Sequence, residues 1–275
     1  MTEESGMYIM RVIYAGRFCY VKNYTPIGKA PSGKREKRMK ESPEAMKKYN
    51  NERRSEKLQL LILTNFDKGY HLTLDYPKGC KPSTYKEAEE NLTRTLYKVS
   101  RRLKAKGKQF KYIAVTERGK KAAALHHHMV IEHDPVIFDE LIAVWGQRIH
   151  ASVMYEEGQY KELAEYIVKM ETKEEACKGK SKYHRSRNLI NPIERVAMIN
   201  KPLGEDPFIP KGYRLVGGSF RSGFNEVIHI RWQKYMLEQI GHATMSQKTE
   251  GSEQKCIKRE SIFTRFKNKF LRRRK

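Results

Sequence analysis

Cysteine is scarce in this sequence, with four residues among 275: Cys19, Cys80, Cys177 and Cys256. No two of them have the Cys-x-x-Cys spacing that a zinc ribbon or a redox motif requires. We therefore predict that the cysteines are reduced and mostly structural. The hydrophobic content of 39% is enough for one large core, or one domain with attachments, to fold without disulfides or structural metal.

Long apolar runs are also absent, since no uninterrupted stretch approaches the roughly 20 residues that span a bilayer. The first residues, Met-Thr-Glu-Glu-Ser-Gly, are acidic and polar, unlike the basic and then apolar start of a signal peptide. We expect a cytoplasmic protein that does not associate with a membrane.

Acidic residues are outnumbered, because 32 Asp and Glu face 56 Lys and Arg and leave a formal charge of +24. This charge exceeds what solubility requires, and it repels itself unless a polyanion shares the field. The expected partner is therefore nucleic acid.

A nucleotide-binding P-loop is missing as well. The stretch Gly28-Lys-Ala-Pro-Ser-Gly-Lys34 has almost the required pattern, but Arg35 stands where Ser or Thr must hold magnesium. We exclude an ATP site here and predict that the basic segment Lys29–Lys40 is a solvated or DNA-facing loop.

Hydrophobic spacing and capping residues predict strands and helices along the chain. The predicted strands are Arg17–Lys22, Tyr70–Tyr76, Phe110–Glu117 and Leu125–Glu132. The predicted helices run from Ser42 to Thr64, from the capping residue Thr84 to Gly107, from Asp134 to about Trp145, and from Glu157 to Lys173. A hairpin is predicted with strands Tyr213–Phe220 and Glu226–Trp232. This order indicates an α+β fold with a mostly antiparallel sheet.

The C-terminal end is a basic tail, Ile262–Lys275, in which phenylalanines alternate with cations. Such a segment can stack on bases while neutralising phosphates, form a weak interfacial helix, or remain solvated. The sequence leaves these three interpretations open.

Three of the nine histidines stand together at His126, His127 and His128. Side chains alternate along a strand, so His126 and His128 point to one face and His127 to the other. Pairing of the two predicted strands places Glu117 beside His126. We predict a metal site formed by Glu117, His126 and His128, a donor set that suits Mg²⁺ or Mn²⁺ and leaves room for a phosphate oxygen.

Other interpretations of the histidine triplet stay open at this point. His126 and His128 can be satisfied by hydrogen bonds in a hairpin while Glu117 is solvated, or His127 can be the centre of a site with a different partner. A zinc hydrolase is disfavoured, because the His-Glu-x-x-His signature of a helix is absent.

Tyr166 and Lys169 lie three residues apart in a predicted helix, so the hydroxyl and the ammonium group share a face. A tyrosine can attack phosphorus when its high pKa and the charge on the phosphoryl oxygens are offset, and a metal ion with Lys169 would meet both needs. Tyr155 and Tyr160 lack a lysine three residues later. The alternative is that Tyr166 is a helix-edge aromatic packed on the sheet.

Three segments, in order, resemble motifs of the HUH endonuclease superfamily, specifically the replication initiators of rolling-circle plasmids, phages and integrated elements. The strand Tyr70–Tyr76 with its central Leu-Thr-Leu resembles the first motif, Leu125-His-His-His-Met-Val-Ile131 the histidine motif, and Ala164-Glu-Tyr-Ile-Val-Lys169 the Tyr-x-x-Lys motif. The family has a bulky apolar residue where this chain has His127. The resemblance covers roughly Leu58 to Pro192.

The resemblance implies a ferredoxin-like or RNA-recognition-motif-like antiparallel sheet, with helices on one or both faces and the tyrosine helix over the metal. It implies Glu117 as an acidic third ligand. It also implies nicking of single-stranded DNA that leaves a free 3′-hydroxyl and a 5′-phosphotyrosine, later resolved by strand transfer. A basic Ser-Arg-Asn-Leu segment after the nucleophile helix is matched here, and it leads us to expect DNA-binding residues at Lys182, Arg185, Arg187 and Asn188.

We accordingly divide the chain into an N-terminal strand, loop and helix (1–57), an endonuclease core (58–195), a C-terminal hairpin extension (196–240) and a basic tail (241–275). The expected function is initiation of rolling-circle replication on single-stranded origin DNA in a bacterial host cell. Without a Walker motif, unwinding would fall to a host helicase, and copying to a host polymerase.

Three alternatives remain at this stage. A single-tyrosine transposase or a mobilisation relaxase would use the same metal and nucleophile on a different DNA site. A non-catalytic basic DNA-binding protein would hold nucleic acid without cutting it. A membrane-surface protein would use the C-terminal tail.

Overall fold

The computed structural model describes residues 6–26, 43–119, 124–146, 148–154, 160–171, 183–225 and 230–240. The chain forms two compact units, one of residues 1–39 with 192–275 and one of residues 40–191. The predicted basic loop, the C-terminal tail and Lys182 lie outside the described residues.

The described residues form eleven strands and four helices in an α+β arrangement with two antiparallel sheets, as predicted. The helices are α1 (Pro43–Asn65), α2 (Tyr85–Ala105), α3 (Pro135–Trp145) and α4 (Lys161–Glu171). The strands are β1 (Tyr8–Ala15), β2 (Phe18–Tyr24), β3 (Gly69–Leu74), β4 (Tyr112–Arg118), β5 (Leu125–Glu132), β6 (Ile149–Met154), β7 (His184–Arg185), β8 (Ile193–Ile199), β9 (Tyr213–Leu215), β10 (Arg221–Asn225) and β11 (Ile230–Gln239). No helix in the described ranges is both long and apolar enough to cross a membrane.

The unit of residues 40–191 contains a five-stranded sheet in the order β6-β3-β5-β4-β7, with every neighbouring pair antiparallel. The succession β3-α2-β4-β5-α3-β6 is the β-α-β-β-α-β arrangement of ferredoxin-like folds. Helices α2 and α3 cover one face through a core that includes Leu72, Leu92 and Leu141. Helix α4 lies on the opposite face, so the sheet has helices on both sides.

Two predicted helix starts have the expected caps. The Thr84 side chain accepts a hydrogen bond from the Glu87 amide at the start of α2, and Asp134 does the same for the Val136 amide at the start of α3. The Glu87 carboxylate accepts from the amide of Ser83 rather than of Thr84, at 2.9 Å. Each cap satisfies amides that lack a partner in the first helical turn.

The unit of residues 1–39 and 192–275 contains a second sheet, in the order β10-β11-β2-β1-β8, with β9 also paired to β11. Its strands come from both ends of the chain. One face is a core in which Met10, Val12, Val21, Tyr235 and Leu237 are buried. The other face carries the alternate residues of the same strands.

The predicted C-terminal hairpin exists, but its boundaries were wrong. The segment Arg221–Asn225, which its Gly, Ser and Asn residues led us to predict as a turn, is the strand β10 and pairs with β11. The first predicted strand, Tyr213–Phe220, shortens to Tyr213–Leu215. The helix that carries Tyr166 begins at Lys161 rather than Glu157, after Tyr160, whose positive φ of 50° lies outside the helical region.

Candidate metal centre and nucleophile

The β4–β5 hairpin brings the predicted metal ligands together. Glu117 pairs with His126, and the next pair along the ladder is Thr116 with His127. Because directly paired residues share a face and successive residues alternate, Glu117, His126 and His128 all lie on the face covered by α4. The predicted register of this hairpin is confirmed.

The ligand atoms of these three residues lie close to one point. Glu117 Oε2 is 3.0 Å from His128 Nε2 and 3.3 Å from His126 Nε2, and the two Nε2 atoms are 3.1 Å apart. Glu117 and His128 are buried, while His126 is partly exposed. These three residues, which we call the triad, form a group that can hold a metal ion.

The remaining ring nitrogens of the triad point away from that centre. His128 Nδ1 lies 3.4 Å from Thr73 Oγ1, and His126 Nδ1 lies 3.4 Å from the carbonyl oxygen of Ala124. A proton on each Nδ1 satisfies these contacts and leaves both Nε2 lone pairs facing each other. Such lone pairs repel unless a cation lies between them, so this nitrogen and carboxylate donor set fits a divalent first-row ion or Mg²⁺.

Burial keeps His128 neutral, as a metal ligand must be. Burial lowers the pKa of His128 to about 4, helped by the charges of His126 and His71, against a smaller opposing effect of Glu117. The ring of His71 stacks on that of His128 with centroids 5.4 Å apart, and burial also lowers its pKa. A neutral imidazole has a free lone pair for a cation at neutral pH.

Tyr166 on α4 lies directly against the triad. Its hydroxyl donates a hydrogen bond to Glu117 Oε2 at 2.8 Å and is 3.1 Å from His128 Nε2. Its ring meets the His128 ring edge to face. Burial raises the pKa of Tyr166, and the hydrogen bond and charge of Glu117 raise it further, so the phenol needs nearby positive charge to act as a nucleophile.

Lys169 lies one turn beyond Tyr166 and is exposed. It lines an open groove between α1 and α4, together with Lys47, Glu52 and Glu165. The predicted catalytic role of Lys169 is not decided by this position and stays a prediction.

His127 lies on the opposite face of the sheet and is fully buried, in a chain of hydrogen bonds. Tyr76 donates to His127 Nε2 at 2.6 Å, and His127 Nδ1 lies 2.9 Å from Thr116 Oγ1, which donates to Glu89. The second oxygen of Glu89 contacts His184. Burial lowers the pKa of His127 to about 3. His127 is thus held as a neutral core residue, and the interpretation of a metal site centred on it is wrong.

Three of the four predicted DNA-binding residues are described, and Arg185, Arg187 and Asn188 are all exposed. Arg185 pairs with Ile113 at the sheet edge, which puts it on the same face as the triad. The segment is fixed in place, because Asn65 bonds both the amide and the carbonyl of Ile190. These positions suit contact with DNA, and the DNA-binding role stays a prediction.

Several residues around the site were not predicted from sequence. Thr73 lies in the Leu-Thr-Leu motif, and its pairing with His128 follows only once the strand order is known. His71 and Thr73 alternate on β3, so the strand period of that motif could have placed both on the triad face. Glu89 gives no such signal, since it sits beside the apolar stripe of α2 and looks like a solvated helix residue.

Comparison with known families supports the site assignment at a coarser level. Residues 69–175 match the model of the ORF2 family of replication-associated proteins. The matched segment includes β3, the triad and α4. No curated protein and no solved structure matched the chain. Over this segment the chain is similar to replication-associated proteins.

Proposed function

We propose that this protein initiates rolling-circle replication by nicking single-stranded origin DNA, with Tyr166 as the nucleophile and Mg²⁺ or Mn²⁺ held by Glu117, His126 and His128. The observation that carries the proposal is the 2.8 Å hydrogen bond between the Tyr166 hydroxyl and Glu117. It sets a phosphorus-seeking nucleophile against three convergent metal ligands. The match of residues 69–175 to replication-associated proteins and the charge of +24 support the same function.

The reaction exchanges one phosphodiester bond for another. The Tyr166 oxygen bonds to phosphorus while the bond from phosphorus to O3′ breaks. The electron pair of that bond goes to O3′, which takes a proton from water and becomes a free 3′-hydroxyl. The phenolic proton leaves along the hydrogen bond to Glu117 and passes to solvent. A later attack by a 3′-hydroxyl on the 5′-phosphotyrosine rejoins the strand and returns Tyr166.

Each residue of the site has a separate task in this scheme. The bound ion would supply positive charge that lowers the pKa of the phenol and neutralises the phosphoryl oxygens. Thr73 and the Ala124 carbonyl orient the two imidazoles, as outer partners of metal ligands do. Lys169 adds positive charge near the phosphate, and Lys182, Arg185, Arg187 and Asn188 hold the strand. A host helicase and polymerase then unwind and copy the DNA.

The test is cleavage of single-stranded DNA labelled at either end, with Mn²⁺ or with a chelator. We expect wild-type protein with Mn²⁺ to leave a free 3′-hydroxyl fragment and to retain the other fragment covalently. Tyr166→Phe should abolish both products, while Tyr97→Phe, at an exposed tyrosine of α2, should cleave normally. Cleavage without metal, or by Tyr166→Phe, would contradict the proposal. Tight binding without cleavage across varied origin sequences would instead favour a non-catalytic DNA-binding protein.

A plasmid-copying assay separates the initiator from enzymes with the same chemistry. An initiator supports copying of a plasmid that carries its origin, whereas a single-tyrosine transposase excises its element and a mobilisation relaxase transfers DNA between cells. Excision or transfer without copying would reject replication initiation and retain the nicking chemistry.

A further inference from the structure

The second sheet carries a row of cations across four adjacent strands. Arg11 on β1 pairs with Lys22 on β2, Lys22 pairs with Lys234 on β11, and Lys234 pairs with Arg221 on β10. Paired residues share a face, and this face is opposite to the core that contains Val12, Val21 and Tyr235. With strands about 4.8 Å apart, the row is about 14 Å long.

An aromatic row runs beside the cations on the same face. Tyr24 pairs with Trp232, which pairs with Gly223. A Cβ atom on Gly223 would lie 2.9 Å from Trp232 Cζ2, so the indole lies against the glycine backbone and a larger residue would displace it. Lys234 Nζ is 5.9 Å from the centre of the Trp232 ring. The two aromatic side chains are half-buried, so part of each remains accessible.

The charge balance of this face favours a polyanion. Arg221 is exposed, and Arg11, Lys22 and Lys234 are half-buried. One acidic residue, Glu194, forms a salt bridge of 2.8 Å with Arg11 at the end of the row. The side chain of Arg11 is still 39% exposed in that pair. The row therefore keeps a net positive charge.

We propose that this face, which we call the β-platform and define by Arg11, Lys22, Tyr24, Arg221, Trp232 and Lys234, is a second binding surface for single-stranded DNA. Cations in a row track a phosphate backbone, while aromatic rings offer stacking surfaces for unpaired bases. Duplex DNA keeps its bases stacked on each other, so it would use the cations alone. The choice of DNA over RNA rests on the proposed function, whereas the preference for a single strand rests on this geometry.

The function of such a surface follows from its separation from the triad in sequence and fold. It would bind a strand independently of cleavage, since none of its residues belongs to the unit that contains Tyr166. A nicking enzyme releases one strand end as a free 3′-hydroxyl, and a second single-strand site would retain DNA near the protein between cleavage and rejoining.

The test uses the full-length protein with Tyr166→Phe and a chelator, so that no cleavage occurs, and a mixed-sequence 20-nucleotide DNA as the probe. Binding is followed by tryptophan fluorescence and by anisotropy of the labelled DNA. We expect binding to quench fluorescence, Trp232→Phe to remove most of the quenching, and Trp232→Ala to weaken binding about 5- to 150-fold. Quenching that is unchanged in Trp232→Phe would overturn the proposal.

The salt dependence of binding provides the matched control. Replacing Lys22 and Lys234 together by Gln should reduce the slope of log K against log salt by about 1.4, as expected for two phosphate contacts on a single strand. Replacing Arg195 and Arg231 by Gln removes the same charge from the opposite face of the same sheet, and should leave the slope nearly unchanged. Equal effects of the two pairs would overturn the β-platform.

Comparison of ligands and of activities completes the test. Equally tight binding of a duplex with equal quenching, or tighter binding of an RNA of the same sequence, would overturn the choice of single-stranded DNA. Fluorescence quenching without any cleavage by wild-type protein would retain the β-platform and reject the proposed function. Metal-dependent cleavage without quenching would do the reverse.

Discussion

Tyr166 and Glu117 are joined by a hydrogen bond of 2.8 Å, and the carboxylate oxygen that accepts it is the same one that lies nearest His126 and His128. One atom therefore links the candidate nucleophile to the candidate metal ligands. Substitution of Glu117 should affect the metal and the reaction together, whereas substitution of Tyr166 should affect the reaction alone.

The first prediction concerns Glu117. Glu117→Gln keeps the size of the side chain but removes its charge, so we expect Mn²⁺ affinity to fall by more than the 10- to 100-fold that loss of an outer-shell partner costs. Isothermal titration calorimetry measures this change. Glu165→Gln is the matched control, because Glu165 precedes Tyr166 on α4 but lines the groove towards α1. Unchanged Mn²⁺ affinity in Glu117→Gln would remove this carboxylate from the metal site.

The second prediction concerns Lys169. Lys169→Ala should slow nicking by roughly 10²- to 10³-fold, as expected for loss of a preorganised charge that stabilises the transition state, and should leave Mn²⁺ affinity unchanged. Single-turnover rates with saturating protein isolate this step. Lys161→Ala removes an exposed lysine from the first turn of the same helix and should cleave at the wild-type rate. A Lys169→Ala rate within a few-fold of wild type would show that the ammonium group has no part in catalysis.

The third prediction concerns the segment after the nucleophile helix. Arg185→Ala and Arg187→Ala should each weaken binding of single-stranded DNA regardless of its sequence, and each should reduce the salt slope by about 0.7, because a phosphate contact is lost. Arg94→Ala, at an exposed position of α2, is the control. A loss of affinity at one base sequence only would indicate base recognition instead of phosphate contact.

The fourth prediction concerns His127 and acid. Its pKa is about 3 in the folded protein and near 6.5 in the unfolded chain. The unfolded state therefore takes up a proton first as the pH falls below 6.5. The stability that neutral His127 contributes is present above that pH and declines until the folded pKa is reached. Between pH 7 and pH 5 the loss should be about 2 kcal/mol.

His127→Leu tests this account by urea unfolding of metal-free protein at both pH values. At pH 7 the variant should be less stable by about 1–3 kcal/mol, because the hydroxyls of Tyr76 and Thr116 lose a buried partner. Its loss of stability between pH 7 and pH 5 should be smaller than that of wild type. An unchanged pH dependence would mean that His127 is not the buried neutral histidine that the hydrogen bonds describe.

The candidate site was largely predictable because its information is local. Alternation within a single strand separates His126 and His128 from His127, and a short hairpin connection aligns Glu117 with His126. The contact of Tyr166 with the triad is different, since a helix 38 residues after His128 can lie on either face of a sheet. Only the resemblance to replication initiators implied that α4 covers the metal.

The second sheet was largely missed for two physical reasons. Its strands β1 and β8 pair across almost the whole length of the chain, and no local pattern reports such pairing. Its edge strands are also exposed, as in β8, where Ile193, Val196 and Met198 face solvent, so the alternation of buried and polar residues that predicts a strand is absent. β6 was missed for the same reason, because most of its residues are exposed.

The central claim is that Tyr166 becomes covalently attached to DNA, and mass spectrometry of the adduct tests it most directly. Wild-type protein is incubated with single-stranded origin DNA and Mn²⁺, the DNA is trimmed with nuclease, and the protein is digested with trypsin. Cleavage after Lys161 and Lys169 releases residues 162–169, which contain Tyr166 as their only tyrosine. We predict that this peptide carries the nucleotide mass and that a chelator abolishes the modification. Attachment at another tyrosine, or at Tyr166 without metal, would contradict the account.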